Sequence, residues 1–404
     1  MEAKRVTFLA LGFKDYRLFF LGSFVSHFGD QMQIVAVAWQ LYALTHSATS
    51  LGLAGLFSFI PLLLFSIIGG LISDKYDRRK VLIMGQTVLA FLTGILFILT
   101  VKNQISPNII YLLLFLNSFV NAFSQPARQS MVPRLVPKEI YMNAASLNVT
   151  QRQTATILGP ALSGVLIAGY GVGGVYLLNF VSFILQILTL LLIKVKQETN
   201  KITSNLLAVF EGIKFVKNSK LLYSTMILDF LATFFGTATI LMPIFAQDLL
   251  KVGALGIGLL YSATAFGGVL SGIFISRVKN LKHQGRIVFG CVILYGFATI
   301  GFGLSRVFPL SLFFLTLAGA ADVISTVLRN TIRQYITPDH IRGRMTAINI
   351  MFAQGGPKLG EAEAGLLAAA VGAPMSVVVG GAGTVLITLL IARLVPNLRR
   401  YQGN

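Results

Sequence analysis

Five carboxylates stand within long apolar stretches of this chain: Asp30, Asp229, Asp322, Glu361 and Glu363. In hydrocarbon each costs about 2.5–3.5 kcal/mol even on the lenient insertion scale, so five facing lipid would cost on the order of 12–17 kcal/mol. They must face a watery cavity, pair with cations, or carry a proton. A cavity carboxylate can take a proton from one side and release it to the other, or answer the charge of a cationic ligand. Two cations, Arg152 and Lys358, lie in similar stretches and are expected to neutralise buried acids. Lys358 precedes Glu361 by three residues, a spacing that permits an ion pair. Glu361 and Glu363 differ by about 200° around a helix and cannot share one face. His27 precedes Asp30 by three and is within bonding reach of it.

These residues fall on polar stripes with helical spacing. Ser26, Asp30 and Gln33 stand at i, i+4 and i+7, and Asn117, Asn121, Ser124 and Arg128 extend such a stripe over three turns. Asp322, Ser325, Arg329 and Arg333 repeat it, and Thr225, Asp229 and Thr233 form a looser one. One polar stripe on an otherwise apolar helix faces a cavity or a partner rather than lipid.

The elements that must position them are transmembrane helices. Of 404 residues, 55% are hydrophobic and 12% charged, about half the charged share of a soluble domain. A span needs roughly 20 mostly apolar residues, and twelve such runs occur, near 18–41, 50–72, 81–101, 109–130, 143–168, 172–193, 221–247, 255–276, 287–305, 310–334, 344–370 and 373–395. The runs are continuous, without the alternation of a barrel strand. The first is too long for a signal-peptide core and is expected to remain as a span. The net charge of +19 would suggest nucleic acid in a soluble protein. Here the cations lie between the apolar runs, so it reads as topology. With the N-terminus in the cytoplasm, only Lys102, Lys251 and Arg306 fall in outer loops and Arg152 and Lys358 inside spans. The other 28 of 33 cations lie in cytoplasmic segments and their helix ends, as the positive-inside rule requires, and both termini are then cytoplasmic. Cys291 is the single cysteine and can form no internal disulfide.

The chain repeats itself at an offset of 201 residues. Arg128, Pro137, Asn148, Gly159 and Gly164 become Arg329, Pro338, Asn349, Gly360 and Gly365, while Asn121 and Ser124 map onto Asp322 and Ser325. This predicts an all-α polytopic protein of two pseudo-symmetric six-helix bundles, 1–193 and 221–404, joined by a cytoplasmic linker, 194–220. Parallel repeats with a site between them near the midplane are a transporter architecture. Pro160 after Gly159, and Gly355, Gly356 and Pro357 in the eleventh run, are expected to bend or closely pack their helices.

Several motifs resemble those of the major facilitator superfamily. Gly70 to Lys80 reads G-L-I-S-D-K-Y-D-R-R-K, similar to the signature G-x-x-x-D-R/K-x-G-R-R/K, with Asp77 where the pattern has glycine. The second-half counterpart, from Gly272, is degenerate. Leu158 to Gly164, L-G-P-A-L-S-G, is similar to the antiporter motif of exporters in that superfamily, with Ala155 and Ser163 replacing two glycines. The phrases F-G-D-Q-M-Q, P-A-R-Q-S-M-V-P-R-L-V-P and G-E-A-E-A-G resemble the bacterial branch that holds enterobactin and macrolide exporters. The resemblance covers essentially the whole chain. It implies the twelve-helix major facilitator fold, with spans one, four, seven and ten lining a central cavity. It also implies a cytoplasmic gate built from Gly70, Asp74, Arg78 and Arg79, with Arg128 and Arg329 near the inner face.

The expected function is a secondary active transporter in a bacterial cytoplasmic membrane. Proton-coupled export of small organic molecules (drug, macrolide or siderophore) by alternating access is the leading reading. Asp30, Asp229, Asp322, Glu361, Glu363, Asn117 and Asn121 are the candidates for proton coupling or substrate binding. Facilitator, importer and lipid flippase are the alternatives within transport, and a non-transporting sensor or assembly subunit is the alternative outside it. A phosphate loop and an H-E-x-x-H motif do not occur, so neither direct ATP use nor zinc proteolysis is expected. The expected partners are a small-molecule substrate, protons and membrane lipids, with no nucleic acid, no cofactor and a functional monomer.

Overall fold

A computed structural model describes residues 8–194, 214–217, 219–237, 239–278, 281–338 and 342–402. Side chains at 67, 71, 73, 74, 342–344, 346, 347, 350 and 351 are not among those described. The backbone is helical almost throughout, because in lipid each N–H and C=O must be satisfied within its own segment. The helices are α1 (Lys14–Thr45), α2 (Ala48–Lys75), α3 (Arg78–Val101) and α4 (Pro107–Leu135). One unbroken run, Tyr141–Leu192, turns at Gly171, whose φ of 69° and ψ of 178° suit glycine. It divides into α5 (141–170) and α6 (172–192). Then come α7 (Lys220–Gly236), α8 (Gly253–Arg277), α9 (Gln284–Leu304), α10 (Phe308–Ile336), α11 (Arg342–Val371) and α12 (Ala373–Leu394).

Nine helical stretches among the described residues are long and apolar enough to cross a membrane, the α5–α6 run counting once. The two long helices outside that set, α1 and α11, carry Asp30 and the Lys358–Glu361–Glu363 cluster. The twelve expected runs therefore all correspond to helical segments, with one difference. The seventh, expected over 221–247, is not one α-helix. It leaves α-geometry at Thr237 (ψ 104°), resumes around Pro243, and ends in a π turn, Phe245–Leu249.

By internal packing the chain forms two compact units, Met1–Gln40 with Ile60–Ser204, and Leu41–Phe59 with Asn205–Asn404. Residues 41–59, where α1 ends and α2 begins, thus group with the second unit, and residues 195–213 of the expected linker lie outside the described residues.

The 201-residue repeat reappears as repeated helix pairing. In the first unit a Cβ at Gly159 of α5 would stand 2.7 Å from the Gln31 side chain of α1. In the second, a Cβ at Gly360 of α11 would stand 2.3 Å from the Phe234 carbonyl of α7. Likewise Gly69 of α2 abuts Ala122 of α4, and Gly267 of α8 abuts Thr316 of α10. Small residues let these backbones approach, as membrane helices without an aqueous hydrophobic drive require.

Candidate functional site

In the first unit, α1, α4 and α5 wall a cavity of about 310 Å³. Phe19, Ser23 and His27 line it from one stripe of α1, four residues apart each. Tyr141, Ala145, Asn148 and Arg152 line it from one stripe of α5. Arg128 of α4 stands in the same wall, with 8% of its surface exposed. Its Nη1 donates to His27 Nε2 at 3.2 Å and its Nη2 to Gln186 Oε1 at 3.4 Å. A guanidinium has no acceptor, so Nε2 must accept and His27 is neutral in this arrangement. Gln186 passes the chain on to Ser23 at 3.3 Å.

Asp30 is not on that wall. It lies one turn further along α1, half-buried, within Coulombic range of Arg128 and hydrogen-bonding reach of Asn179. His27 therefore meets Arg128 and not Asp30. The rest of the α1 stripe is engaged in hydrogen bonds. Gln33 accepts from Thr93 at 3.2 Å and from Asn179 at 2.7 Å, and Ser26 donates to Gln86 at 3.4 Å. On α4, Asn121 donates to Asn117 Oδ1 at 2.9 Å. Arg152, expected to neutralise an acid, is exposed on the cavity wall and has no ion pair among the described residues.

The second unit carries a different solution at the equivalent place. Asp229 of α7 is shared by Arg329 at 2.9 Å and Arg333 at 3.1 Å, both on α10 and both almost fully buried. Asp229 thus pairs with two buried arginines. Asp322 approaches Arg329 at 3.9 Å with its side chain 42% exposed. Arg333 also donates to Thr225, Asn330 and Asn349, so its fork is fully occupied. Arg329 spends Nη2 on Asp229 and Thr326, leaving Nε and Nη1 without partners among the described residues. Two guanidiniums against two carboxylates make this cluster electrically neutral, which is how buried charge becomes tolerable.

On α11, Lys358 and Glu361 pair at 2.8 Å as their spacing predicts. Glu363, half-buried, has no ion pair among the described residues. Tyr42, which the sequence reading passes over, donates to Asp248 inside the second unit. Neither residue belongs to a stripe or a motif, so only chain folding reveals the pair.

The signature loop is structural at two of its positions. Asp77 caps α3, accepting from the Arg79 amide at 2.9 Å and the Lys80 amide at 3.4 Å. Its φ of −60° needs no glycine. Arg79 donates to the Leu190 and Leu191 carbonyls, both at 2.7 Å, and so satisfies the last turn of α6. Gly70 offers open space around its Cα, and both it and Arg78 have interaction partners. The Asp74 side chain lies outside the described residues.

The sequence profile of the family described as transmembrane secretion effector matches residues 6–402. Over 396 residues the chain is 27% identical to the enterobactin exporter of Salmonella choleraesuis, covering 96% of this chain and 94% of that protein. It is 28% identical to the enterobactin exporter of Citrobacter koseri over 396 residues, covering 96% and 93%. Among solved structures, the fold matches a bacterial homologue of the iron transporter ferroportin in its inward-facing state. That match has a TM-score of 0.71 at 16% identity, covering 94% of this chain and 98% of the other.

Proposed function

Because this chain belongs to the transmembrane secretion effector family of transporters, within the major facilitator superfamily, we propose that it exports small organic molecules in exchange for protons. Alternating access in a bacterial inner membrane is the mode, with both termini cytoplasmic as the cation distribution requires. Siderophores head the substrate classes, since the relatives with nearly full-length similarity are enterobactin exporters.

The observation that carries proton coupling is the Asp229–Arg329–Asp322 arrangement. Arg329 stands between a buried carboxylate at 2.9 Å and a half-exposed one at 3.9 Å. Asp322 is the carboxylate that a proton can reach. Once protonated it no longer attracts Arg329, which then turns fully to Asp229, an acid already shared with Arg333. Proton binding on α10 is thereby converted into a change in the α7–α10 ion pairing. Asp30, held by an amide and lacking a direct cation, is the second carrier. One proton crossing 100 mV releases about 2.3 kcal/mol, and each pH unit adds about 1.4 kcal/mol. That is enough for a roughly hundredfold or greater substrate gradient when both act. Phospholipids surround the protein, and a monomer suffices because the buried Asp229–Arg329–Arg333 cluster is completed within one chain.

The test uses everted vesicles, a panel of siderophores and macrolides, and an imposed pH gradient. Accumulation of a panel member that collapses when nigericin dissipates the gradient is expected. Accumulation indifferent to the gradient would make the protein a facilitator instead.

A further inference from the structure

The two units differ where the repeat makes them most alike. Arg128 and Arg329 are equivalent at the 201-residue offset. Around Arg329 the equivalent of Asn121 is Asp322, and the equivalent of Val132 is Arg333, which reaches across to Thr225, Asp229 and Asn349. Around Arg128 those positions carry no charge, and Val132 ends on the cavity wall. Carboxylates answer the guanidinium of the second unit. None lies within ion-pair distance of Arg128 among the described residues.

The deficit has a direction. Arg128 and Arg152 are both in the cavity lining and close enough to repel one another; Asp30, which attracts Arg128 from one turn further along α1, offsets one of the two charges and stands outside the lining. Among the described residues no Asp or Glu lines the cavity. Two donors in the wall, Arg128 Nε and Gln151 Nε2, are buried without an acceptor among the described residues, and Gln151 is only 4% exposed. A buried cation stripped of one partner is strongly destabilised, and an unmade buried hydrogen bond adds to that cost. A pocket with surplus positive charge and surplus donors is complementary to a ligand with negative charge and acceptors. Phe19, Val132 and Tyr141 supply apolar and aromatic surface beside the cations.

We propose that the cavity between α1, α4 and α5 binds the anionic group, carboxylate or phosphate, of a small amphiphilic ligand whose aromatic or apolar body lies against Phe19 and Tyr141. This rests on the reading of the chain as an exporter of small organic molecules and narrows its substrates to anionic ones. The same chemistry would hold the phosphate of a lipid headgroup, and the experiment separates the two sources.

The full-length protein in phosphatidylcholine nanodiscs is titrated with radiolabelled salicylate by scintillation proximity, with salicylamide as the neutral analogue. Saturable salicylate binding is expected, with salicylamide at least tenfold weaker as a competitor. Arg152→Gln, at an exposed position, should weaken binding tenfold or more. Ala145→Phe should abolish it by filling the cavity without altering a charge, whereas Lys102→Gln in an outer loop should leave it unchanged. Nanodiscs containing phosphatidylglycerol form the second arm. If that lipid displaces salicylate from wild type, the anion site stands with the headgroup as occupant; if it does not, the site stands for a solute. Equal potency of salicylamide, binding within twofold of wild type in both Arg152→Gln and Ala145→Phe, or no saturable binding together with no retained phosphatidylglycerol, overturns the site. Gradient-driven transport that survives in everted vesicles despite such a result would leave proton-coupled export standing. Intact salicylate binding without gradient dependence would sink the coupling instead.

Discussion

At the residue scale, the intramembrane acids separate by how their charge is met. Asp229 is answered twice, by Arg329 and Arg333, so Asp229→Asn leaves buried Arg333 without a carboxylate and Arg329 with only its 3.9 Å contact to Asp322. A buried pair broken on one side costs about 3–5 kcal/mol. Asp322→Asn removes only a 3.9 Å contact from a side chain 42% exposed, and should cost less than about 1 kcal/mol. Thermal unfolding in detergent should therefore show a large drop for Asp229→Asn and a small one for Asp322→Asn; equal drops would contradict this division of labour. Asp30 stands apart, with an amide neighbour and no ion pair among the described residues. Asp30→Asn keeps the shape of the protonated acid, so expression should match wild type while uphill efflux in everted vesicles is lost and downhill exchange persists. Full gradient-driven transport by that variant would return Asp30 to a structural role.

At the element scale, the signature loop shows one residue replacing another's means to the same end. Where the superfamily pattern has glycine, Asp77 starts α3 as a side-chain cap. Asp77→Ala should lower stability by about 1 kcal/mol, whereas Asp77→Gly should cost only a few tenths. Paired melting curves would show it, and an alanine variant as stable as the glycine one would mean the cap contributes nothing. Arg79 has a neighbouring task in holding the final carbonyls of α6. α7 ends at Gly236 with Thr237 extended, and Pro243 stands in the first turn of the segment that follows, where its missing donor costs nothing.

At the scale of the whole molecule, topology and repeat support each other. The cation bias predicts that Gln104, Lys251 and Arg306 face outward and Gln197 inward. Single cysteines at these positions, on a Cys291→Ser background, should react with an impermeant maleimide in intact cells at the first three only. Labelling at Gln197 would reverse the orientation. The repeat predicts equivalent packing, and Gly159 and Gly360 do meet equivalent helices. It does not predict equivalent chemistry. Differences at two offset-matched positions, Asn121 for Asp322 and Val132 for Arg333, together with Asp229 on α7, separate a closed neutral cluster from an open cationic cavity.

What the sequence determined alone is whatever has a period or a statistical bias. Twelve apolar runs, the Lys358–Glu361 pair and the polar stripes all follow from helix geometry and from the cost of charge in lipid. These are local rules, readable a few residues at a time. Tertiary structure decided which stripe residues meet. His27 turns to Arg128 rather than to Asp30, Arg152 joins a cation-lined wall instead of neutralising an acid, and Asp229 finds two arginines about a hundred residues away. Pairing of this kind depends on helix rotation and depth, which side-chain packing along the whole helix sets. A polar stripe names the face that turns inward but carries no record of what will stand opposite it.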